Sequence, residues 1–205
     1  MLKVTFIGLL KKYSDDELLI KELWTEVEKN YTGKKRYYHT LQHLDNLLTQ
    51  LLEIKGEIQN WETILFTLYY HDIIYNSLKS NNEDKSAELA EKRMKQISVS
   101  NETIELCKNQ IMATKSHIKS ANSDTNYFID ADLSVLGQSW ETYTLYYKNI
   151  RKEYSIYPDF VYNPERKKVL NHFLAMERIF KTDFFYNKFE RISRENILNE
   201  IKHLS

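Results

Sequence analysis

Residues 60–72, Asn-Trp-Glu-Thr-Ile-Leu-Phe-Thr-Leu-Tyr-Tyr-His-Asp, are the stretch on which the reading of this chain turns. Ile64, Leu65, Leu68 and Tyr69 recur at helical spacing, and the helix they predict begins near Asn60. It runs into His71-Asp72. An imidazole and a carboxylate at the end of so apolar a segment are costly to bury unless something charged satisfies them.

Upstream stands His39-Thr-Leu-Gln-His43. A helix predicted from about His39 to Glu53 would set both imidazoles on one face and turn Leu44, Leu47, Leu48, Leu51 and Leu52 inward, with Gly56 as its stop. Before it, Ser14-Asp-Asp-Glu17 reads as a capping box opening a helix with Leu19, Leu23 and Val27 on one face, ended by Gly33. Downstream, residues 76–82 read as a loop and residues 83–97 as a helix. Ser100 caps the next one, carrying Ile104, Cys107 and Ile111. Residues 115–126 are polar and read as irregular, and a helical piece is expected over 130–136. Trp140, Tyr143, Tyr147 and Ile150 mark a helix that must stop before Pro158. Asn163-Pro164 reads as an N-cap with proline at the first helical position, opening a helix with Val169, Phe173, Met176 and Phe180 inward. Phe189, Ile192, Ile197 and Ile201 mark a last helix. Four glycines and two prolines leave few breakers. The expected fold is all-α, a helical bundle forming one domain over 1–205.

Composition narrows the function. The 29 basic and 29 acidic residues cancel, so no bulk field draws the chain to nucleic acid or an anionic membrane. A single cysteine, Cys107, allows no internal disulfide, which suits a reducing compartment. The run from Val4 to Leu10 is too short to span a bilayer and lacks a cleavage site after it, so a cytoplasmic location is expected. The 15 tyrosines fall mostly at amphipathic helical spacings and read as packing.

Further along lies Asp130-Ala-Asp132, flanked by Phe128, Ile129, Leu133, Val135 and Leu136. Imidazole nitrogen with carboxylate oxygen suits a divalent transition metal. The alternative is a buried ion-pair network with no metal. His-x-x-x-His also occurs in zinc proteases, but those place Glu after the first His, and here that position is Thr40.

The order His43, His71-Asp72, Asp132 resembles the signature of the HD phosphohydrolases. The likeness extends through residues 36–43, 69–75, 82–87, 113–117, 128–137 and 150–154, and to Glu190, Arg194 and Asn196. It is specifically to metal-dependent HD phosphohydrolases of unassigned physiological substrate, with a motif core at about 31–155 and C-terminal helices over 163–204 packing on it. The resemblance implies one divalent ion (Mn, Mg, Co, Ni, Fe or Zn) on His43, His71, Asp72 and Asp132, with Asp130 supporting a neighbouring ligand or the backbone. His43 is preferred to His39 because the hydrophobic helix pattern that follows the ligand in HD proteins follows it here.

Such an ion lowers the pKa of a bound water and polarises a phosphoryl oxygen. The expected activity is hydrolysis of a phosphomonoester or phosphoanhydride, a nucleotide above all, with catalytic His71, Asp72 and Glu83. Lys115 and His117, then Arg36, His39, Arg151 and Tyr154, are the candidates to bind substrate. Plainer roles compete: a core or solvated histidine for His39, capping or surface roles for Lys115 and His117, a helix-dipole partner for Glu83, and a surface pair for Arg151 with Glu153. Two other functions stay open. One is a catalytically silent, metal-stabilised regulatory module. The other is a di-iron oxygenase, whose second ion would draw on His39, Glu83 and His117.

Overall fold

A computed structural model describes residues 1–204; Ser205 lies outside the described residues. The described residues are all-helical, with ten α-helices, two short 3-10 turns and no strand. None of these helices is long and apolar enough to cross a membrane. The chain divides into two compact units, Met1–Ile129 and Asp130–Ser205.

The first unit is built round the stretch quoted above. It contains α1 (Leu2–Leu10), α2 (Glu17–Tyr31), α3 (Leu41–Glu53), α4 (Trp61–Tyr70), α5 (Asn82–Gln96), α6 (Asn101–Ala113) and most of α7 (Ser123–Asp132). Every residue of α4 from Thr63 to Tyr70 is buried. A helix apolar all round must be central, and α1, α3, α5 and α6 all pack against this one. Its N-terminus is held twice. Asn60 accepts from the Thr63 amide, and the buried Asp124 carboxylate accepts from the Gln59 and Asn60 amides at 2.9 and 2.7 Å.

In the second unit, the 3-10 turn Leu133–Gly137 leads into α8 (Trp140–Glu153), α9 (Asp159–Ala175) and α10 (Asp183–His203). α10 packs along that turn. A Cβ on Gly137 would collide with Cβ of Phe189, and Asn196 on α10 donates to the Leu136 and Gln138 carbonyls, both at 2.9 Å. Below them the buried Glu200 carboxylate takes the Arg166 guanidinium at 2.7 and 3.0 Å and the Tyr143 hydroxyl.

The run before Lys11, to which the sequence assigns no element, is a helix, α1, with Leu2, Phe6, Leu9 and Leu10 buried. Several expectations are corrected. The cap of α2 is Asp16, which accepts from the Leu19 amide, while Ser14 accepts from Asp16 itself. α3 starts two residues later than expected, after Thr40, and Leu52 faces outward at 42% exposure. The polar segment 115–126 hides a helix start, since α7 begins at Ser123 and buries Asp124, Thr125 and Asn126. Trp140 is partly exposed.

Proline misled most. α9 opens after Pro158, which leaves Pro164 inside the helix. Its ring removes the bond to the Phe160 carbonyl, a loss that solvent can cover where the chain is open, and Phe160 is 81% exposed. The same shift turns Val169 outward and leaves Met176 as C-cap, with Phe180 beyond the helix.

Candidate metal centre

His71 is the C-cap of α4, and its amide still closes the last turn onto Thr67 at 2.9 Å. Its ring is buried, with Phe128 edge-on against it at 5.4 Å. Nδ1 lies 3.0 Å from the Leu68 carbonyl. A carbonyl only accepts, so Nδ1 carries the proton and Nε2 presents a lone pair. Metal-binding histidines are oriented by this kind of contact.

His43 comes from the first turns of α3, whose Leu44, Leu47, Leu48 and Leu51 anchor it in the core. Its Nε2 lies 3.2 Å from Nε2 of His71. The Asp72 carboxylate completes the group, with Oδ2 3.2 Å from Nε2 of His71 and 3.8 Å from Nε2 of both His43 and His39. Burial is graded. The His71 and His43 side chains are 1% and 4% exposed, while those of His39 and Asp72 reach 17% and 19%. The two imidazoles lie deepest, and the acid and the third imidazole are partly exposed beside them. The His43 and His71 nitrogens and the Asp72 oxygen, converging in this way, are donors of the kind that fits a divalent transition metal, with the His39 imidazole beside them.

His39 reaches this group by a route the sequence reading did not foresee. It precedes α3 and shares no helix face with His43. Its ring stacks on Tyr75 with centroids 4.0 Å apart and meets Tyr38 edge-on at 5.0 Å. Neither tyrosine had been singled out, although Tyr75 ends the segment that holds His71-Asp72. The signal was its place three residues past Asp72 in an otherwise apolar turn. Arg36 lies behind them. Its guanidinium donates to the carbonyls of His39, Asp72 and Ile73 at 3.0, 2.7 and 2.8 Å, so its fork is engaged by backbone.

The remaining candidates are spread more widely. Glu83 lies in the first turn of α5, where a carboxylate complements the helix dipole. The half-exposed Lys115 ammonium sits 3.3 Å from Asp84 and 4.0 Å from Glu83. His117, on the loop after α6, takes a left-handed conformation with φ 53°. Asp132 is the last residue of α7, four residues beyond Phe128 and so on the same face of that helix. Asp130 takes the backbone-supporting role, accepting from the Lys181 and Thr182 amides at 2.8 and 2.7 Å and from the Thr182 hydroxyl at 2.7 Å. Burial pushes its carboxyl up, and those donors oppose the shift.

In the second unit, Arg151 pairs with Asp159 at 2.6 Å and donates to the Tyr154 and Tyr157 carbonyls, tying down the end of α8. The expected surface pair with Glu153 is corrected, because Glu153 is buried. The Tyr154 ring lies 5.9 Å from Tyr162.

Comparison of the chain with family models, curated proteins and solved structures gives no match.

Proposed function

We propose that this chain is a metal-dependent phosphohydrolase with an HD-type helical fold, acting on a phosphomonoester or phosphoanhydride, above all a nucleotide. The observation that carries the reading is the approach of the His43 and His71 Nε2 atoms to 3.2 Å, with Asp72 Oδ2 3.2 Å from one of them. Asp132 is the fourth member of the proposed set, and like the two imidazoles it offers one ligand atom. The sequence order of these four residues, which resembles the HD signature, adds support.

When bound, a divalent ion supplies Lewis acidity toward a phosphoryl oxygen and an acidified water. The protein's part is distinct. The Leu68 carbonyl fixes the His71 tautomer. The partly exposed edge at Asp72 and His39 is the side from which the phosphate is proposed to approach. His39 is the imidazole proposed to meet a phosphoryl oxygen there, and Lys115 and His117 are the further candidates to meet its charge. Glu83 is the proposed group to orient the attacking water. Hydrolysis adds that water across the P–O bond: its oxygen goes to phosphorus and a proton to the leaving group.

The test is phosphate release from a panel of phosphomonoesters, nucleotides and pyrophosphates by protein loaded with Mn²⁺, Mg²⁺, Co²⁺ or Ni²⁺. Turnover that disappears in Asp72→Ala is expected. No turnover with any ion, on protein shown to hold the metal, would overturn the enzymatic reading and leave a silent metal-stabilised module.

A further inference from the structure

Arg36 stands outside the donor set, yet it touches the two chain segments that bring the set together. One segment carries His39 ahead of α3, and the other carries Asp72 and Ile73 just after α4. One terminal nitrogen, Nη1, donates to both the His39 carbonyl at 3.0 Å and the Asp72 carbonyl at 2.7 Å. The other, Nη2, donates to Ile73 at 2.8 Å. The guanidinium carbon also lies 4.8 Å from the centre of the Tyr31 ring and 5.6 Å from that of Tyr75. Tyr75 in turn is stacked on His39. Arg36 thus grips His39 by its backbone and by the aromatic ring against its imidazole, and with the same fork grips the backbone of Asp72.

We infer that Arg36 is a positioning residue that sets His39 against Asp72 before any metal arrives, with Tyr75 as the second half of the same device. The inference rests in part on the metal reading above, because it gives that site a preformed edge at His39 and Asp72. Charge-assisted bonds to carbonyls are stronger than neutral ones, and a planar fork loses little freedom in making them. Lysine would bring the charge as a single point and could not span the three carbonyls. Without the fork, the turn holding His39 is free to swing from Asp72, and the 3.8 Å approach of His39 Nε2 to Asp72 Oδ2 is lost.

The experiment compares wild type with Arg36→Met and Arg36→Lys by two measurements. In metal-free protein, the His39 ring protons are followed by NMR for the upfield ring-current shift imposed by Tyr75. With metal, Co²⁺ is titrated and its visible absorption recorded. Both substitutions are expected to move the His39 signals toward free-imidazole positions. They are also expected to weaken Co²⁺ binding by about 10- to 100-fold, the usual loss when a group supporting a ligand is removed, and to alter the cobalt spectrum. Arg36→Lys serves if Arg36→Met does not fold. A folded variant whose His39 signals stay at the wild-type positions would overturn the inference, whatever the metal does. Wild type that takes up no Co²⁺ would overturn the metal reading instead, while the His39 shifts in metal-free protein still decide the part played by Arg36.

Discussion

At the scale of single residues, the site depends on which nitrogen of each imidazole is bare. The Leu68 carbonyl settles this for His71, and its Nε2 is aimed at His43 and Asp72. Loss of a supporting partner costs about 10–100-fold in affinity or activity, so removing Asp72 itself with Asp72→Ala is expected to cost more than about 100-fold in turnover. Initial-rate assays at saturating metal check this. Cys107 offers a contrast. It is fully buried, and burial pushes its thiol up to about 12. The thiolate is the reactive form, so an aromatic disulfide reagent at pH 8 is expected to leave the native protein unlabelled and to titrate one thiol in urea. Rapid labelling of native protein would contradict the packing around α6.

At the scale of elements, legibility followed apolar periodicity. α4, α5 and α6 stood where the pattern put them, because each presents buried residues at regular spacing or a clear cap. Three failures share a physical cause, which is that the partner deciding the structure belongs to no apolar spacing pattern. α7 starts in a polar segment because Asp124 is needed at the N-terminus of α4. His39 looked helical from its spacing to His43, yet the backbone bond that holds it comes from Arg36. Pro164 looked like a helix start because nothing local showed that Pro158 already supplied one. The closeness of His43, His71 and Asp72 was legible from the motif, whereas Tyr75 and the carbonyl partner of His71 were not, since neither belongs to a spacing pattern.

Two substitutions test the second unit. Gly137→Ala places a methyl against Phe189 and is expected to destabilise by about 1–3 kcal/mol, the usual cost of overpacking. Glu200→Gln breaks a buried pair with Arg166, both side chains under 10% exposed, at an expected cost of about 3–5 kcal/mol. Urea denaturation followed by circular dichroism measures both. A change below half a kcal/mol in either would mean that α10 does not pack as described.

At the scale of the whole molecule, any ion that binds only the folded chain stabilises it by mass action. At 100 times its dissociation constant the gain is about 2.7 kcal/mol, which for a chain of this size raises the melting temperature by about 5–10 °C. The matched variant is His71→Ala, which should melt at the same temperature with metal or with chelator. Metal content decides whether these imidazoles hold an ion: elemental analysis of the purified protein, wild type beside His71→Ala, after dialysis against metal-free buffer. Close to one equivalent of a divalent transition metal per wild-type chain is expected, and almost none in the variant. Wild type that holds no such metal, even after incubation with Mn²⁺, Co²⁺ or Zn²⁺, would contradict the metal reading.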